Sequence, residues 1–100
     1  MDYSINKMDI TDLDNIKSIL SVEFDDFWSY NILKQELEND KSKYFVAKQE
    51  NEIVGFAGVM LVIDEVNIMN IVVRKNKRNL GIGSLLLEEI IRFSKIHSAA

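Results

Sequence analysis

The sequence predicts one small α+β domain, a mainly antiparallel sheet with helices layered on both faces (α/β/α). Three observations predict this fold. The chain has 100 residues, which is enough for a single domain. Three segments carry apolar residues at helical spacing, and β-rich runs joined by short polar connectors lie between the second and the third. Because runs joined by short connectors usually pair with their neighbours, we expect an antiparallel meander.

The N-terminal part predicts a strand followed by two helices. Residues 3–5 have strand character, and the sequence from Thr11 to Asp14 matches a capping box, so the first helix is predicted to begin there and to fade near Glu23. Ser29 is the predicted N-cap of the second helix. The apolar stripes are Leu13, Ile16, Ile19 and Leu20 in the first helix and Ile32, Leu33 and Leu37 in the second.

The segment between these two helices, residues 24–28, holds three aromatic residues around two acids. It is too short for a helix and too acidic for a strand, so it predicts a loop. We expect Trp28 to close the helix pair onto the core rather than to contact a ligand.

The next part of the chain predicts a β-hairpin with a buried second strand. Residues 44–48 and 53–63 are β-rich, and the connector between them is polar and of hairpin length. The second run is apolar on both alternating faces, which predicts a central strand covered on both sides. Gly55 and Gly58 within it mark bulges or close helix packing.

The stretch on which the functional interpretation depends is a strand, a basic loop and a helix. A turn at Asp64 and Glu65 leads into the strand at 67–73, and a glycine-containing turn then opens a helix. The free N–H groups and the positive dipole end of a first helical turn favour an anion, and glycine lets a ligand approach the backbone closely. Four cations lie within five residues of a chain whose net charge is −4: Arg74, Lys75, Lys77 and Arg78. The sequence therefore predicts a phosphate-binding turn with positive potential.

The helix after this turn has a wide apolar face. Ile82, Leu86, Ile90 and Phe93 are predicted to pack on the sheet, with Leu85, Leu87 and Ile91 widening the face, while Glu88, Arg92 and Lys95 face water.

Two other phosphate motifs do not fit this turn. A P-loop requires lysine after its second glycine, and the residue after Gly83 is Ser84. A dinucleotide fingerprint requires a third glycine or alanine three residues after Gly83, where this chain has Leu86.

Composition excludes several other kinds of site. There is no cysteine, so disulfides, thiolate metal sites and cysteine nucleophiles are excluded, and no metal site is predicted. No apolar run approaches the ~20 residues of a membrane helix, and the N-terminus lacks a signal-peptide pattern, so we expect a cytoplasmic protein that does not bind membranes. The acidic total leaves only the basic loop as a footprint for nucleic acid, so we expect no nucleic-acid partner.

The motif Arg78-x-x-Gly81-x-Gly83 resembles the pyrophosphate loop of the GNAT superfamily of coenzyme-A-dependent N-acetyltransferases. The resemblance extends over essentially the whole chain, because the predicted order of elements is that of the N-terminal two-thirds of a GNAT domain. The pieces Phe-Trp-Ser-Tyr at 27–30, Val-Gly-Phe-Ala-Gly at 54–58 and the run from Asp64 to Val73 are similar to ribosomal-protein-alanine N-acetyltransferases in particular. Those enzymes acetylate the N-terminal amine of a small-subunit ribosomal protein.

The resemblance implies acetyl-CoA as the co-substrate and places its binding residues. The thioester carbonyl would lie against backbone N–H groups of the last strand, where a bulge would leave a donor free, and the pyrophosphate against the turn. The implied residues are Ile71, Val72 and Val73 for the thioester and Arg78, Asn79, Leu80, Gly81, Ile82, Gly83 and Ser84 for the pyrophosphate. Glu65 and Asp64 lie at the opposite end of that strand, where they would attract the amine or else form only a solvated turn. Glu65 is the only candidate catalytic residue within the chain.

The resemblance also implies a single acetyltransferase domain over residues 1–100 that stops after the cofactor-binding helix, with its C-terminal part missing. The glutamate and tyrosine that the family uses as base and acid, and an asparagine that touches the cofactor, have no counterpart here, so the main catalytic residues are expected beyond Ala100. The isolated chain is therefore expected to be inactive. The alternative is a non-catalytic CoA-binding or interaction module, and in either case the exposed strand edge could support self-association.

Overall fold

The computed structural model of the chain describes residues 3–24, 29–62 and 65–97. A four-stranded antiparallel sheet in the order β1-β2-β3-β4 forms its centre, which confirms the predicted meander. The strands are β1 (Ser4–Lys7), β2 (Ser42–Gln49), β3 (Glu52–Val62) and β4 (Glu65–Val73). The helices are α1 (Ile10–Ile16), α2 (Leu20–Glu23), α3 (Tyr30–Glu38) and α4 (Ile82–His97), with a 3₁₀ turn joining α1 to α2 and another after β4.

One face of the sheet is covered by the N-terminal helices. Leu13, Ile16 and Leu20 are buried there together with Leu33 of α3, as predicted. Phe24 is completely buried and its ring lies 5.6 Å from that of Phe56 on β3. The rest of the aromatic segment, residues 25–28, lies outside the described residues, so the prediction for Trp28 stays a prediction. The large apolar residues on this face form one continuous core.

Helix α4 covers the opposite face of the sheet, which completes the α/β/α layers. Ile82, Leu86 and Ile90 are buried against β3, as the spacing predicted. Gly55 allows this close approach, because a Cβ there would lie 3.2 Å from side-chain atoms of both Ile82 and Leu86.

A row of three residues crosses the sheet at its middle. Tyr44, Gly58 and Asn70 are register partners on β2, β3 and β4. The Tyr44 ring lies directly over Gly58, and its hydroxyl accepts a 2.9 Å hydrogen bond from the Asn70 side-chain amide. Glycine is therefore required at this position to leave room for the Tyr44 ring. Gly58 also lies beside a bulge in β4, which falls between Ile68 and Asn70.

Some local predictions were wrong. The first helix begins at Ile10 rather than after Thr11, because Asp9 accepts from the Asp12 N–H and Asp12 accepts from the Asp9 N–H, both at 3.0 Å. The cap at Ser29 is confirmed, with its hydroxyl accepting from the Ile32 N–H. The predicted apolar faces are narrower than expected, since Ile32 of α3 and Leu87 and Ile91 of α4 are exposed.

We expect Gly58→Ala to destabilise the fold. An added Cβ would lie 2.3 Å from the Tyr44 ring, so the ring or the strand must shift, and overpacking of this kind costs about 1–3 kcal/mol. Urea unfolding measures the free energy of unfolding. The matched control is Gly83→Ala, whose Cβ would be in ordinary contact at 3.8 Å from Val73. Equal stability of the two variants would contradict the packing described for Tyr44.

Candidate cofactor-binding site

The turn between β4 and α4 adopts a left-handed backbone at two positions. Asn79 has φ 67° and Gly81 has φ 84°, and both residues are exposed. An added Cβ at Gly81 would meet nothing within 4 Å, so its surroundings are open. Glycine is favoured at Gly81 because this backbone conformation is strained for other residues. The turn therefore brings the chain into α4 with exposed backbone.

Helix α4 begins without a side-chain cap. The residue at the N-cap position is Gly81, whose carbonyl accepts the first helical bond from the Leu85 N–H at 3.1 Å. The N–H groups of Ile82, Gly83 and Ser84 precede that bond and have no acceptor within the helix. Together with the positive dipole end of a 16-residue helix, they are features that favour an anion, and we call this helix end the candidate anion site.

The basic loop does not present all four of its cations to the turn, which corrects the predicted cluster. The Arg74 guanidinium forms ion pairs with Glu52 on β3 and with Glu23 at the end of α2, the latter at 3.5 Å. Its side chain is only 15% exposed, and its backbone N–H donates to the Val54 carbonyl at 2.8 Å. Arg74 therefore anchors the loop to the sheet, and its charge is neutralised there rather than presented at the turn.

Arg78 connects the turn to the last strand. Its Nε donates a 3.1 Å hydrogen bond to the backbone carbonyl of Val73, the final residue of β4. The first turn of α4 lies against the same residue, since a Cβ on Gly83 would be 3.8 Å from the Val73 side chain. The end of β4 and the candidate anion site at the start of α4 are thus adjacent.

The outer edge of β4 carries backbone groups that do not pair with β3. The Arg74 N–H faces β3, where it donates to the Val54 carbonyl. Because N–H directions alternate along a strand, the N–H of Val72 also faces β3, and those of Ile71 and Val73 face outward. Within the described ranges no strand lies on that side of β4. Ile71 and Val73 therefore present N–H groups along an edge that leads to the helix N-terminus.

The bulge in β4 lies earlier than the resemblance implied. The register shift leaves Met69 unpaired between Ile68 and Asn70, whereas Ile71 and Val72 keep regular partners on β3. The outward N–H of Ile71 arises from its position on an edge strand, not from a bulge at that residue. Val72 is also one of the residues implied for the thioester, but its N–H faces β3 within the sheet and its side chain is buried in the core.

Sequence analysis missed the polar pair beside the bulge. Asn70 is 8% exposed, and its Oδ1 is buried without a partner among the described residues. Burial raises the pKa of the Tyr44 phenol above its ordinary value near 10, the charge of Glu36 acts in the same direction, and the hydrogen bond from Asn70 lowers it. An asparagine inside an apolar, β-branched run was the available signal.

Glu65 lies at the far end of β4 from the helix. It is exposed and is the first residue of the strand, paired with Val62, rather than part of a turn. Six residues separate it from Ile71, which corresponds to about 20 Å along a strand. A general base must come within hydrogen-bond reach of the proton that it removes, so Glu65 is too distant to serve a carbonyl held at Ile71. Asp64 lies outside the described residues.

The position of the main catalytic residues, expected beyond Ala100, stays a prediction. Helix α4 ends at His97, which is the last residue that the structure describes, and Ala100 itself lies outside the described residues. Glu65 is thus the one predicted catalytic residue whose place in the fold can be stated, and that place is remote from the candidate anion site.

One cavity of the described part of the chain lies away from this turn. It has a volume of about 380 Å³ and lies between β1, α1 and α3, on the face opposite α4. It contains none of the predicted site residues. In the part of the chain that the structure describes, no metal-binding group of acidic and histidine side chains occurs. No helix among the described residues is long and apolar enough to cross a membrane.

Comparison with known families identifies the chain through the same elements. The model of the Acetyltransferase (GNAT) family matches residues 9–99, which include most of the sheet, the turn and α4. The chain belongs to the GNAT family. The fold, with its meander and the helix after the glycine turn, is the one that the resemblance implied.

Curated relatives share part of their length with this GNAT chain. It is 25% identical over 93 residues to a Bacillus subtilis protein named "Putative ribosomal protein bS18-alanine N-acetyltransferase", covering 92% of this chain and 62% of that protein. It is 35% identical over 66 residues to the ribosomal protein bS18-alanine N-acetyltransferase of Haemophilus influenzae, covering 64% of this chain and 43% of the relative. The chain thus spans less than two thirds of the length of these two curated relatives.

Solved structures agree on the fold. The ribosomal-protein-S18-alanine N-acetyltransferase of Escherichia coli superimposes with a TM-score of 0.82 at 25% identity, covering 94% of this chain and 60% of that one. The PaiA N-acetyltransferase of Thermoplasma acidophilum, solved in complex with coenzyme A, gives a TM-score of 0.76 at 16% identity, covering 95% and 73%.

We expect Tyr44→Phe to lower the free energy of unfolding by about 1–3 kcal/mol at neutral pH, because the buried Asn70 amide loses its acceptor. In the parent chain, the phenol ionises more easily in the unfolded state than in the folded one. Its contribution is therefore complete below pH ~10 and is lost as the pH rises through the raised folded pKa. Urea unfolding between neutral and alkaline pH measures both effects.

The control for this substitution is Tyr30→Phe. The Tyr30 hydroxyl donates to Asp14 at 2.6 Å, but this bond is exposed and should contribute less to stability. If Tyr44→Phe were no more destabilising than Tyr30→Phe, the buried pair would not hold the sheet as described.

Proposed function

We propose that this chain binds acetyl-CoA at the junction of β4 and α4, as the cofactor-binding part of a single N-acetyltransferase domain. The observation that carries the proposal is the adjacency of the uncapped α4 N-terminus to the outward backbone edge of β4. The pyrophosphate would be held by the backbone of residues 78–84 and the thioester end by the edge at residues 71–73. Membership of the GNAT family supports this arrangement.

The proposed roles of the turn residues follow from their geometry. The N–H groups of Ile82, Gly83 and Ser84 would donate to the pyrophosphate oxygens, and Asn79, Leu80 and Gly81 would shape the approach. Lys75 and Lys77 would add attraction that falls off over a Debye length of ~10 Å at 0.1 M salt. Arg78 would hold the turn against Val73 through its bond to that carbonyl.

The edge of β4 would bind the reactive end of the cofactor. A pantetheine arm contains amide groups, which can pair with a strand edge as a peptide does. The outward N–H of Ile71 or Val73 would then donate to the thioester carbonyl, where negative charge develops when an amine attacks. Val72 would support this edge from the core rather than contact the cofactor directly.

The proposed acceptor is a protein N-terminal α-amine, such as that of a ribosomal protein. The names of the Haemophilus influenzae and Escherichia coli relatives support this acceptor and suggest an N-terminal alanine. An α-amine has an ordinary pKa of about 7.7–8.0, so placement contributes more than strong base catalysis. The cytoplasm is the proposed compartment, because ribosomal proteins are made there.

A non-catalytic CoA-binding module is the second candidate. The distance along β4 between Glu65 and Ile71 favours this non-catalytic candidate for these 100 residues taken alone. Glu65 is the one candidate base among them, and it does not reach the β4 edge at Ile71. Glu65 would then act only by attracting a cationic amine over a distance. Cofactor binding is common to both candidates, and turnover distinguishes them.

We expect Gly83→Val to weaken coenzyme A binding at least tenfold, a loss of about 1.4 kcal/mol. The branched side chain would occupy the space between the first turn of α4 and the end of β4. Isothermal titration calorimetry with coenzyme A measures the affinity, and thermal unfolding verifies that the variant is folded. The matched control is Gly83→Ala, which should bind within about threefold of the parent chain because its Cβ has room. Unchanged affinity in Gly83→Val would remove this turn from the site.

We expect the 100-residue chain to acetylate a peptide with a free N-terminal alanine at close to the uncatalysed rate, even with acetyl-CoA bound. Release of coenzyme A thiol measures turnover, and the same peptide with a blocked N-terminus is the background control. Robust turnover that is lost in Glu65→Gln would contradict the distance argument and would make Glu65 the base. Robust turnover retained in Glu65→Gln would place the base elsewhere in the chain and would reject the non-catalytic candidate.

A further inference from the structure

The segment between β4 and α4, residues 75–81, has little contact with the protein interior, and we call it the β4–α4 turn. Each of its residues is exposed or half-buried. A segment with few buried contacts is positioned mainly by the residues at its ends. At one end Arg78 contacts the Val73 carbonyl, and at the other end lies Arg74.

The backbone of Arg74 is bonded on both sides. Its N–H donates to the Val54 carbonyl of β3 at 2.8 Å, and its own carbonyl accepts from the Lys77 N–H at 2.8 Å. The second bond closes the 3₁₀ turn that follows β4. Arg74 is therefore the residue at which the chain leaves the sheet and the β4–α4 turn begins.

The Arg74 side chain lies on the face of the sheet opposite α4. Val72, two residues earlier on the same strand, is buried in the core beneath the N-terminal helices, and residues two apart on a strand share a face. On that face the guanidinium forms ion pairs with Glu52 at the start of β3 and Glu23 at the end of α2. We call Arg74, Glu23 and Glu52 the Arg74 joint, because they connect the β4–α4 turn to two other elements.

The contact between Arg74 and Glu23 is an ion pair without a hydrogen bond. The Arg74 Nε lies 3.5 Å from a Glu23 carboxylate oxygen, and this nitrogen is buried with no hydrogen-bond partner among the described residues. Charge-assisted bonds of this kind are ordinarily about 2.7–2.9 Å long. A movement of less than about 1 Å would complete the bond, so the positions of α2 and of the turn favour each other.

Helix α2 depends on such tertiary contacts. It has four residues, Leu20–Glu23, and a single helical turn is not stable in isolation. Phe24 follows it, is fully buried, and donates its N–H to the Leu20 carbonyl at 3.3 Å. The Arg74 joint is thus one of the contacts that hold this end of α2 on the sheet.

We propose that Arg74 is a positioning residue for the cofactor. Through its ion pair with Glu23, the Arg74 joint would hold the β4–α4 turn where the first N–H groups of α4 meet the pyrophosphate, and it would link occupancy of the turn to the order of α2. Arg74 acts without touching the ligand, since its side chain lies on the other face of the sheet. The inference rests on the proposed function, because the affinity for coenzyme A is its main readout.

Glu23→Gln gives opposite results for positioning and for simple electrostatics. Loss of a negative charge should by itself favour an anion at the turn. If Glu23 instead holds Arg74 in place, its loss should weaken coenzyme A binding, and we expect a decrease of about fivefold. Isothermal titration calorimetry measures the affinity, and thermal unfolding verifies that the variant is folded. Unchanged or tighter binding would overturn the proposal.

Glu50→Gln is the matched control. It removes the same charge at an exposed position of the hairpin between β2 and β3, two residues from Glu52 and outside the Arg74 joint. Coenzyme A affinity should stay within about twofold of the parent chain. A loss equal to that of Glu23→Gln would show that the ion pair is not responsible and would overturn the proposal.

A double-mutant cycle tests whether Glu23 acts through Arg74. Arg74→Gln should weaken coenzyme A binding at least tenfold, about 1.4 kcal/mol. The double variant with Glu23→Gln should bind within about twofold of Arg74→Gln alone, because the partner of Glu23 is already absent. Independent, multiplying losses would overturn the proposal. If Arg74→Gln does not fold, Glu23→Gln and its control still decide the question.

Amide hydrogen exchange tests the link between the turn and α2. Saturating coenzyme A should slow exchange of the Phe24 N–H about threefold in the parent chain and leave it unchanged in Glu23→Gln. The Leu33 N–H, which donates to the Ser29 carbonyl within α3, is the control amide. Equal slowing of Phe24 exchange in both chains would overturn the link. Without ligand, the Lys77 N–H should exchange faster in Glu23→Gln than in the parent chain.

Failure of this inference and failure of the proposed function give different results. If coenzyme A binds the parent chain and both Arg74→Gln and Glu23→Gln with one affinity, the proposed function stands and the positioning role fails. If the parent chain does not bind coenzyme A, the proposed function fails, and the cofactor role of the Arg74 joint fails with it. The Lys77 exchange rate then decides separately whether Glu23 holds the turn.

Discussion

The packing of the Tyr44 ring over Gly58, with its hydroxyl bonded to Asn70, determines how the last three strands are aligned. A one-residue slip in a sheet exchanges its two faces, so a buried polar contact across three strands strongly specifies register. Immediately before Asn70, the chain accommodates one extra residue, Met69. The contact between Tyr44, Gly58 and Asn70 therefore fixes the residue from which β4 pairs regularly with β3 again. That register in turn sets the direction of the Ile71 N–H.

The charges of the basic loop divide into an inner and an outer set. Arg74 is directed into the protein, where Glu23 and Glu52 neutralise it and hold the loop against the sheet. Lys75 and Lys77 remain near solvent and act on anything that approaches the turn. The anchored loop holds the α4 N-terminus beside β4, and exposed cations contribute to a field that salt can screen.

The sequence was sufficient to predict elements whose signals are local. Apolar periodicity located all three described helical regions, and Ser29 was correctly assigned as a cap because its hydroxyl bonds within its own helix turn. The first helix start was misplaced because two overlapping stretches carry capping residues, and the choice of Asp9 depends on how the chain leaves β1. Local patterns therefore predicted the order of elements well and their boundaries less well.

The candidate site was predictable to the extent that it is contiguous in sequence. The glycine turn and the helix N-terminus follow from residues 78–84 alone. The ion pairs of Arg74 join residues separated by 22 and 51 positions, and the bulge at Met69 depends on which residues of β3 it faces, so neither has a local signal. The apolar face predicted for α4 was too wide because it included Leu87 and Ile91, which are exposed. Their exposure depends on what packs beside the helix, and this too has no local signal in the sequence.

The bare helix start at Gly81 has a consequence for how this protein responds to heat. Glycine at an N-cap costs only roughly a few tenths of a kcal/mol relative to a capping side chain, but it offers no side-chain acceptor to the first N–H groups of α4. An anion bound at the first turn of α4 would take over the role of the cap, so ligand binding and the order of the helix become one equilibrium. For a ligand at about a hundred times its dissociation constant, this linkage adds about 2.7 kcal/mol to the free energy of unfolding. The melting temperature of the chain would then rise as the anion occupies the turn. The 16-residue helix α4 would be most stable when the anion is bound.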